Sequence, residues 1–525
     1  MTRLLIAISF LFALPVSSMA GLSLTPIGTY GTGVFNEGAA EIVAHDPKTQ
    51  RVFVINADAS VIDVLDISDP SNPNKLFDID VSADVPEAGG INSVDVKKGL
   101  VAVAVQNDDD TKNGFAAFYD TNGNPRNFFN GGTRNYLEVG NLPDAIKFSP
   151  NGHQIIVSNE GEPAGAVDPK GSVSIIDIKG NKPKSPAVTL YFTKFDADQA
   201  DLEAAGVKIE PGKLLSDDVE PEYAAFSPHG KEAFVTLQEA NAFAVVDCFR
   251  KKIKKIIPLG FKDHDSAANP LDASNEDGDI NIQSWPVRGM YQPDGIDSFR
   301  DRGRTYYITA NEGDARDAEV ERVEDITLDP VSFPNAASLQ LEENLGRLNV
   351  TTWLGDTDGD GDFDELYAFG ARSFSIWNDR GKLVFDGAAD FEQITASVLP
   401  DQFNSNNDDN DSFDSRSDDK GPEPEGVVVG NIGRKTYAFI GLERISGIMV
   451  YDVSDPKSPE FVEYVNNRNF AVDAQNPDDS SNPLAGDIGP EGLIFIPWFE
   501  SPNHKPLLIV GNEISGTTTI YEIDN

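Results

Sequence analysis

Cysteine and histidine are scarce in this 525-residue chain, which has one cysteine and five histidines. The single cysteine, Cys248, cannot form an internal disulfide, and the scattered histidines do not favour a histidine-rich metal site. After the first twenty residues, no apolar run approaches the ~20 residues that a membrane-spanning helix needs. We therefore expect neither a disulfide framework nor a membrane span.

Basic residues are also few, with 42 Lys and Arg against 86 Asp and Glu, so the formal net charge is −44. An acidic excess of this size argues against nucleic acid as a partner and favours metal cations. A solubilising acidic surface is the alternative explanation, and the two are compatible.

The first twenty residues differ from the rest. They combine Arg3, an apolar stretch from Leu4 to Leu14 and a small-residue site at Ser18-Met19-Ala20. This pattern predicts a secretory signal peptide over residues 1–20, cleaved before Gly21. The C-terminal residues 521–525 resemble neither an anchor nor a sorting tail. We expect a secreted or periplasmic protein.

A repeat organises the remaining chain, and residues 421–459 show it most cleanly. Each repeat has an acid at the start of its first predicted strand, an acid at the end of its second and a polar residue closing its third. The first-strand acids are Glu41, Asp144, Glu222, Asp294, Glu425 and Glu491, with Asn92 as a weaker version. The second-strand acids are Asp58, Asp108, Glu160, Glu239, Glu312, Glu443 and Glu513.

Seven repeats of short strands with little helix predict an all-β fold, a β-propeller of seven blades formed by residues 21–525 as one domain. The long interval from Asp247 to Asn378 leaves room for an eighth blade, but its polar, partly helix-like segment 314–346 favours an insertion. A short helix at 196–206 and an acidic loop at 404–420 are further predicted insertions.

In a propeller, the first strands begin and the second strands end on the same face, so the two acid series are predicted to meet at one rim of the channel. Two unit charges about 6 Å apart repel by roughly 3 kcal/mol at an effective dielectric of about 20. Such a ring needs protons, arginines or bound cations. The predicted rim ligands are Glu222, Asp294, Glu312, Glu425, Glu443, Glu491 and Glu513, and the nearby arginines are Arg316, Arg372 and Arg444. Capping of strand ends by these acids is the alternative.

A separate acidic loop suggests a calcium site. Oxygen ligands alternate at Asp356, Asp358, Asp360, Asp362 and Asp364, with a glycine at the sixth position. This spacing suits the oxygen ligation of Ca²⁺. The twelfth position is Tyr367 instead of Glu, so Asp364, Glu365 or a residue elsewhere must supply the bidentate ligand. The nearby run 406–419 is less regular, and we expect a solvated loop there.

Several phrases resemble the bacterial choice-of-anchor I family. They are Asn311–Arg316, the 356–365 loop with Gly370–Trp377, the run 406–419, and Gly421–Gly426. The resemblance covers nearly the whole mature chain. It implies a secreted or surface propeller related to mesenchyme-specific cell-surface glycoproteins, and some relatives carry an alkaline-phosphatase label. It implies no agreed catalytic residues.

Two functions follow as expectations. One is a calcium-dependent phosphomonoesterase, in which rim cations activate water while Arg316, Arg372 and Arg444 hold the phosphate of a small molecule. The other is a non-catalytic calcium-binding propeller that holds a partner, an extracellular polymer or a mineral surface.

Overall fold

Strands dominate residues 21–525, the part of the chain that the computed structural model describes; the predicted signal peptide lies outside it. Strand β1 is Ser23–Gly31. Sheet 1 contains β2 (Val43–Asp46), β3 (Arg51–Asn56), β4 (Val61–Asp66) and β5 (Asn74–Asp80). Sheet 2 contains β6 (Ala88–Lys97), β7 (Leu100–Asn107), β8 (Asn113–Asp120) and β9 (Tyr136–Asn141). Sheet 3 contains β10 (Pro143–Phe148), β11 (Gln154–Asn159), β12 (Ser172–Asp177) and β13 (Val188–Tyr191). Sheet 4 contains β14 (Pro221–Phe226), β15 (Glu232–Leu237), β16 (Ala242–Asp247) and β17 (Lys252–Pro258).

The second half of the chain continues this pattern around an insertion. The strands of the insertion come in two parts. Strands β18 (Phe261–Asp263) and β19 (Arg288–Met290) precede β20 (Ile296–Asp301) and β21 (Arg304–Asn311), which belong to sheet 5. Strands β22 (Val320–Arg322), β23 (Asn349–Thr351) and β24 (Tyr367–Ala368) follow them. Sheet 5 consists of β20, β21, β25 (Ser373–Asn378) and β26 (Leu383–Asp386). Sheet 6 contains β27 (Pro424–Ile432), β28 (Lys435–Leu442), β29 (Ile448–Asp452) and β30 (Glu460–Val465). Sheet 7 contains β31 (Pro490–Ile496), β32 (Leu507–Asn512) and β33 (Thr517–Asp524), with β1 as its outer strand.

The seven four-stranded sheets form a closed ring. The first strand of each sheet contacts the first strand of the next, and β31 of sheet 7 contacts β2 of sheet 1. Strand β1 pairs antiparallel with β33, so that Ser23 lies opposite Asp524 and the N-terminal strand completes the last sheet. This arrangement is a β-propeller, and the predicted fold class is confirmed.

The core lies between neighbouring sheets. Phe53 of sheet 1 packs in one cluster with Val103 of sheet 2, and Ile308 of sheet 5 shares another with Ile440 of sheet 6. Second and third strands are therefore buried almost throughout, whereas the outer strand β5 is mostly exposed. Burial on both faces explains why these inner strands appear in the sequence as continuous apolar runs.

The insertion forms a sheet of its own, in the order β18-β19-β24-β23-β22, with β19 and β24 parallel. The sequence predicts polar, partly helical structure over 314–346. The helical turns Ala336–Leu339 and Glu342–Gly346 agree with that prediction, and β22 is the one strand of this sheet that differs from it. Strands of two or three residues are too short to show an alternating pattern. They are held by a small separate core that includes Leu271, Trp285 and Val350.

Helices are few and short. The α-helices are α1 (Gln199–Glu203), α2 (Leu215–Asp218), α3 (Ala336–Leu339) and α4 (Asp390–Val398). Three 3₁₀ turns (Val81–Ala83, Thr193–Asp198 and Pro400–Gln402) and one π-helical turn (Glu342–Gly346) accompany them. The short helix predicted at 196–206 corresponds to α1. Among residues 21–525, no helix is both long and apolar enough to cross a bilayer.

Candidate functional site

Strand register places the two acid series at one end of the sheets. In sheets 3, 6 and 7, the proline before the first-strand acid pairs with the residue before the second-strand acid. The pairs are Pro143–Asn159, Pro424–Leu442 and Pro490–Asn512. The two acids of each of these sheets are therefore neighbours, as the sequence predicts.

An irregularity in the ladder follows these prolines. The register shifts between Pro143 and Ile146, and the same shift occurs after Pro221, Pro424 and Pro490. Bulges bend a strand and re-aim its side chains, which is why they concentrate at barrel rims and functional sites. The first-strand acids of sheets 3, 4, 6 and 7 all lie in such a bulge.

Glycine brings neighbouring first-strand acids together. Gly295, Gly426 and Gly492 each follow such an acid. A Cβ atom on Gly426 would lie 2.0 Å from the carbonyl oxygen of Glu491, and one on Gly492 would lie 2.6 Å from that of Glu41. The Gly295 amide also donates a hydrogen bond to the carbonyl of Glu425 (3.1 Å). Side chains larger than hydrogen would push these strands apart.

The result is a group of eleven carboxyl groups that we name the acidic rim: Glu41, Asp144, Glu160, Glu222, Glu239, Asp294, Glu312, Glu425, Glu443, Glu491 and Glu513. Oxygens of Asp144, Glu160 and Glu222 lie within 4.8 Å of one another. Oxygens of Asp294, Glu312 and Glu425 form a second set of this kind. The rim lies at one end of a channel whose cavity of about 400 Å³ is lined by the first strands of sheets 3 to 7.

Burial and mutual repulsion raise the pKa values of the rim carboxyls. Burial, with Glu513 and Asp144 nearby, raises the pKa of Glu41 to about 8. Burial raises the pKa of Asp144 to about 7, and that of Glu513 to about 7. The pKa of Glu425 lies well above its usual range because of burial and the charges of Glu443 and Glu491. A full set of negative charges here is unfavourable without a cation.

Some of these buried oxygens lack any hydrogen-bond partner among residues 21–525. They are the Oε2 atoms of Glu239, Glu425 and Glu491. Buried carboxylate oxygens without a donor are costly. The clustered carboxyl oxygens of the rim match the ligand set of a hard cation, and Ca²⁺ takes six to eight oxygens. The residues present therefore fit calcium.

The cations beside the rim are gathered around one buried acid, Glu423. Its carboxylate contacts Lys420 (3.0 Å), the Arg444 Nε atom (3.1 Å) and Arg416 (2.5 Å). Burial alone would raise the pKa of Glu423, but Lys420, Arg444 and Arg416 outweigh it and lower the pKa to about 2. We name Glu423 and these three residues the Glu423 cluster. The acid pattern of the repeat does not predict it.

The Glu423 cluster is connected to the rim at two points. Lys420 Nζ lies 3.0 Å from Glu312 Oε1, and Arg444 Nη1 lies 3.0 Å from Glu443 Oε1. The side-chain amide of Asn407 donates to Glu443 (2.8 Å) and its carbonyl accepts from Arg444 (3.0 Å). Arg444 therefore lies at the rim, as the sequence predicts, but its N–H groups already pair with the carboxylates of Glu423 and Glu443.

The other two arginines are engaged elsewhere. Arg316 donates to Asp218 (3.0 Å) and to Glu220 (2.7 Å). Arg372 is 4% exposed and donates to Glu392 (2.7 Å) and to the backbone carbonyl of Ser417 (2.8 Å). Arg372 therefore connects α4 with the 406–419 segment through hydrogen bonds.

Sheets 1 and 2 contribute fewer carboxyl groups to the acidic rim than the other sheets do. Asp58 and Asp108 are exposed, and the Asn92 amide donates to the carbonyl of Pro143 (3.1 Å). The ring of acids is consequently open at these two second-strand positions. Asp58 and Asp108 supply matched control positions for the experiments below.

The run 406–419 is a solvated loop only in part, because Asp408, Asp409 and Asp411 are exposed while other residues of the run are buried. Asn407, Asp414, Ser417 and Asp418 are all buried, with exposed fractions of 4% or less. Their side chains form internal hydrogen bonds, such as Ser417 to Asp414 (2.5 Å). Because this segment packs against the rim, Asn407 contacts Glu443, and Arg416 and the following Lys420 contact Glu423.

The 356–365 loop is exposed and divides into two groups of acids. Oxygens of Asp356, Asp358 and Asp360 lie within 4.8 Å of one another. Asp362 and Asp364 form a second group with Asp329, a residue that the loop pattern alone cannot reveal. A backbone hydrogen bond from Asp329 to the Phe363 carbonyl (3.0 Å) brings that residue alongside.

The two candidates for the bidentate loop ligand differ in their surroundings. Glu365 forms an ion pair with Arg288 (2.7 Å) and accepts a hydrogen bond from the Tyr367 hydroxyl. Asp364 accepts from the Thr357 amide (2.9 Å) and hydroxyl (2.6 Å), and these bonds lower its pKa. Asp329 is a third candidate for the missing ligand, and its Oδ1 atom likewise accepts hydrogen bonds from the amides of Val331 (3.0 Å) and Ser332 (2.6 Å).

Fold and site together define a β-propeller with an acidic rim at one end of its channel. Residues 41–456 match the choice-of-anchor I domain. The chain therefore belongs to the choice-of-anchor I family, and the resemblance inferred from the sequence is confirmed.

Two curated relatives are similar to parts of the chain. Gigasin-3a of Magallana gigas is 30% identical over 191 residues, which cover 35% of this chain and 67% of that protein. A mesenchyme-specific cell surface glycoprotein of Strongylocentrotus purpuratus is 24% identical over 311 residues, covering 50% of this chain and 38% of that protein. The chain thus matches well under half of the glycoprotein's length.

Two solved structures align with most of the chain at low similarity. Kuenenia stuttgartiensis hydrazine synthase has a TM-score of 0.46 at 11% identity, over 94% of this chain and 97% of that one. The β-propeller domain of Cps50 (Swd1) from Myceliophteria thermophila has a TM-score of 0.41 at 8% identity, over 94% and 99%. Neither similarity bears on function.

Proposed function

We propose that this protein is an extracellular or cell-surface propeller that binds calcium at its acidic rim and presents the loaded rim to an extracellular polymer or mineral surface. The observation that carries the proposal is the clustering of rim carboxyl oxygens within 4.8 Å of one another, in a rim where the buried Oε2 atoms of Glu239, Glu425 and Glu491 have no hydrogen-bond partner among residues 21–525. The surface location is supported by the family and by the relative whose name describes a cell surface glycoprotein.

Two sets of carboxylates would hold the ions. Asp144, Glu160 and Glu222 form one set, and Asp294, Glu312 and Glu425 the other. Their raised pKa values mean that calcium binding must displace protons, so affinity should increase with pH. Oxygen ligands without histidine or cysteine favour Ca²⁺ over the softer transition metals. We propose the 356–365 loop with Asp329 as a separate, exposed calcium site.

Calcium titration calorimetry tests this proposal. We expect wild-type protein to bind calcium at about 10⁻⁴–10⁻³ M, the range of extracellular calcium modules. Glu425→Gln/Glu491→Gln should weaken the rim sites at least about tenfold, because a neutral amide supplies no charge to the ion. Asp358→Ala/Asp360→Ala should remove only the loop site.

The matched control is Asp58→Asn/Asp108→Asn. It removes two charges from the second-strand acids of sheets 1 and 2, which are exposed. Its calcium binding should stay within about twofold of wild type. Equal calcium binding by wild type and by the rim variant would overturn the rim assignment.

Phosphomonoester hydrolysis is the second candidate, and the observation in its favour is the placement of Lys420 and Arg444 beside the rim acids. The existing ion pairs of these cations favour the binding role, since a phosphate would have to replace Glu423 or Glu443. We therefore expect no chelator-sensitive hydrolysis of p-nitrophenyl phosphate between about pH 6 and 10 in millimolar calcium. Turnover that chelator abolishes, and that Arg444→Gln reduces, would establish the enzyme instead.

A further inference from the structure

The face opposite the acidic rim has a different charge. In each sheet, the first strand begins at the rim and the second strand ends there. The hairpin that joins these two strands therefore lies at the opposite end of the sheet. Three consecutive hairpins touch there. Lys98 Nζ of sheet 2 donates to the Asn151 carbonyl of sheet 3 (2.7 Å), and Gly230 of sheet 4 lies against Asn151.

A groove of about 700 Å³ runs between sheets 3 and 4 on this face. Its lining includes Lys179, Lys184, Lys231, His153, His229 and Phe249. The one acidic lining residue, Asp177, is paired with Lys251 at 2.7 Å. Within residues 21–525, Lys179, Lys184 and Lys231 form no ion pair, and all three are exposed. The groove is therefore positively charged in a chain of net charge −44.

An aromatic side chain accompanies these lysines. Phe249 is 84% exposed, the second most exposed of the large apolar side chains after Val331. It follows the buried strand β16 at a turn, where Cys248 is packed inward and Phe249 points to the groove. Its position is fixed by the fold, although the ring itself has little to pack against. An exposed ring of this kind offers a flat apolar surface to a ligand.

We propose that this groove binds an acidic polysaccharide, a linear polymer that carries sulfate or carboxylate groups. Lysine ammonium groups pair with such anions as point charges, and the ring of Phe249 packs on the apolar C–H face of a sugar. The concave shape fits a linear chain better than a flat bilayer. This inference does not depend on calcium at the rim.

The test measures binding of fluorescent dextran sulfate to the full mature chain by anisotropy, with neutral dextran as the uncharged probe. Lys179→Ala/Lys184→Ala/Lys231→Ala should weaken dextran sulfate binding about tenfold, and added salt should weaken the wild-type interaction. Phe249→Ala should also weaken it while leaving the salt dependence unchanged. Neutral dextran should not bind.

The matched control is Lys48→Ala/Lys382→Ala/Lys457→Ala, which removes the same number of charges from exposed lysines of sheets 1, 5 and 6 on the same face. Its affinity should remain within about twofold of wild type. Equal losses of dextran sulfate affinity in the two triple variants would show that only the net charge of the protein matters, and would overturn the assignment of the binding site to the groove. Absence of wild-type binding, preference for phosphatidylserine vesicles over dextran sulfate, or self-association through the groove would also overturn it.

Discussion

Without calcium, the protein is expected to be several kcal/mol less stable at about pH 8 than at about pH 5, and millimolar calcium is expected to remove most of that difference. Burial raises the pKa of Glu41 to about 8 and those of Asp144 and Glu513 to about 7, above their values in the unfolded chain. Each unit of raised pKa corresponds to about 1.4 kcal/mol.

The sign follows from proton counts. Between about pH 4.5 and 8 the folded protein holds more protons on these carboxyls than the unfolded chain does, so the free energy of unfolding falls as pH rises. In the proposed role, calcium would bind the folded rim in place of the protons, so we expect it to stabilise the protein most at the alkaline end of this range.

Urea unfolding at several pH values, in chelator and in calcium, measures this effect. Glu425→Gln/Glu491→Gln should flatten the pH dependence and lose most of the calcium effect, since glutamine resembles the protonated acid. Asp58→Asn/Asp108→Asn should keep both. A metal-free protein whose stability stays constant or increases from pH 5 to pH 8 would refute the raised rim pKa values.

Glu423→Gln is expected to destabilise the protein by about 3–5 kcal/mol at neutral pH, because it leaves Arg416, Lys420 and Arg444 without their shared buried partner. The pKa of Glu423 is lowered to about 2, so its contribution is present above about pH 4.5 and is lost as pH falls towards 2. This window does not overlap that of the rim carboxyls.

Chemical denaturation of wild type and variant at pH 7 and at about pH 3 tests this expectation, and the difference between them should shrink at the lower pH. Glu232→Gln is the matched control, because it breaks a more exposed ion pair with Lys254 and should cost less than about 1 kcal/mol. A Glu423 variant as stable as the control would show that the three cations do not depend on this acid.

The sequence predicts the propeller and the acidic rim well, because both depend on local signals that recur. Proline followed by an acid at Pro143-Asp144 and Pro424-Glu425 marks the start of a first strand, and register then brings the second-strand acid alongside. The glycine after Asp294, Glu425 and Glu491 is a further signal, since it permits the close approach of neighbouring strands.

Other parts of the site depend on contacts between distant segments, which one sequence does not reveal. The run 406–419 has the composition of an exposed loop, yet Asn407 and Ser417 in it are buried because their side chains bond to the rim acid Glu443 and to Asp414. Asp329 joins the 356–365 loop through backbone pairing with Phe363. Arg372 lies in the Gly370–Trp377 phrase that resembles the family, and the sequence makes it a candidate for binding phosphate. In the structure its guanidinium group bonds to Glu392 and to backbone carbonyls.

The most direct test of the central claim is an anomalous difference map from crystals of residues 21–525 soaked with terbium, which binds the same oxygen ligands as calcium. We expect peaks within about 2.3–2.6 Å of the carboxylate oxygens of Asp144, Glu160 and Glu222 or of Asp294, Glu312 and Glu425. A map with peaks at the 356–365 loop alone, and with rim carboxyls hydrogen-bonded to one another, would contradict the claim that the rim is a cation site.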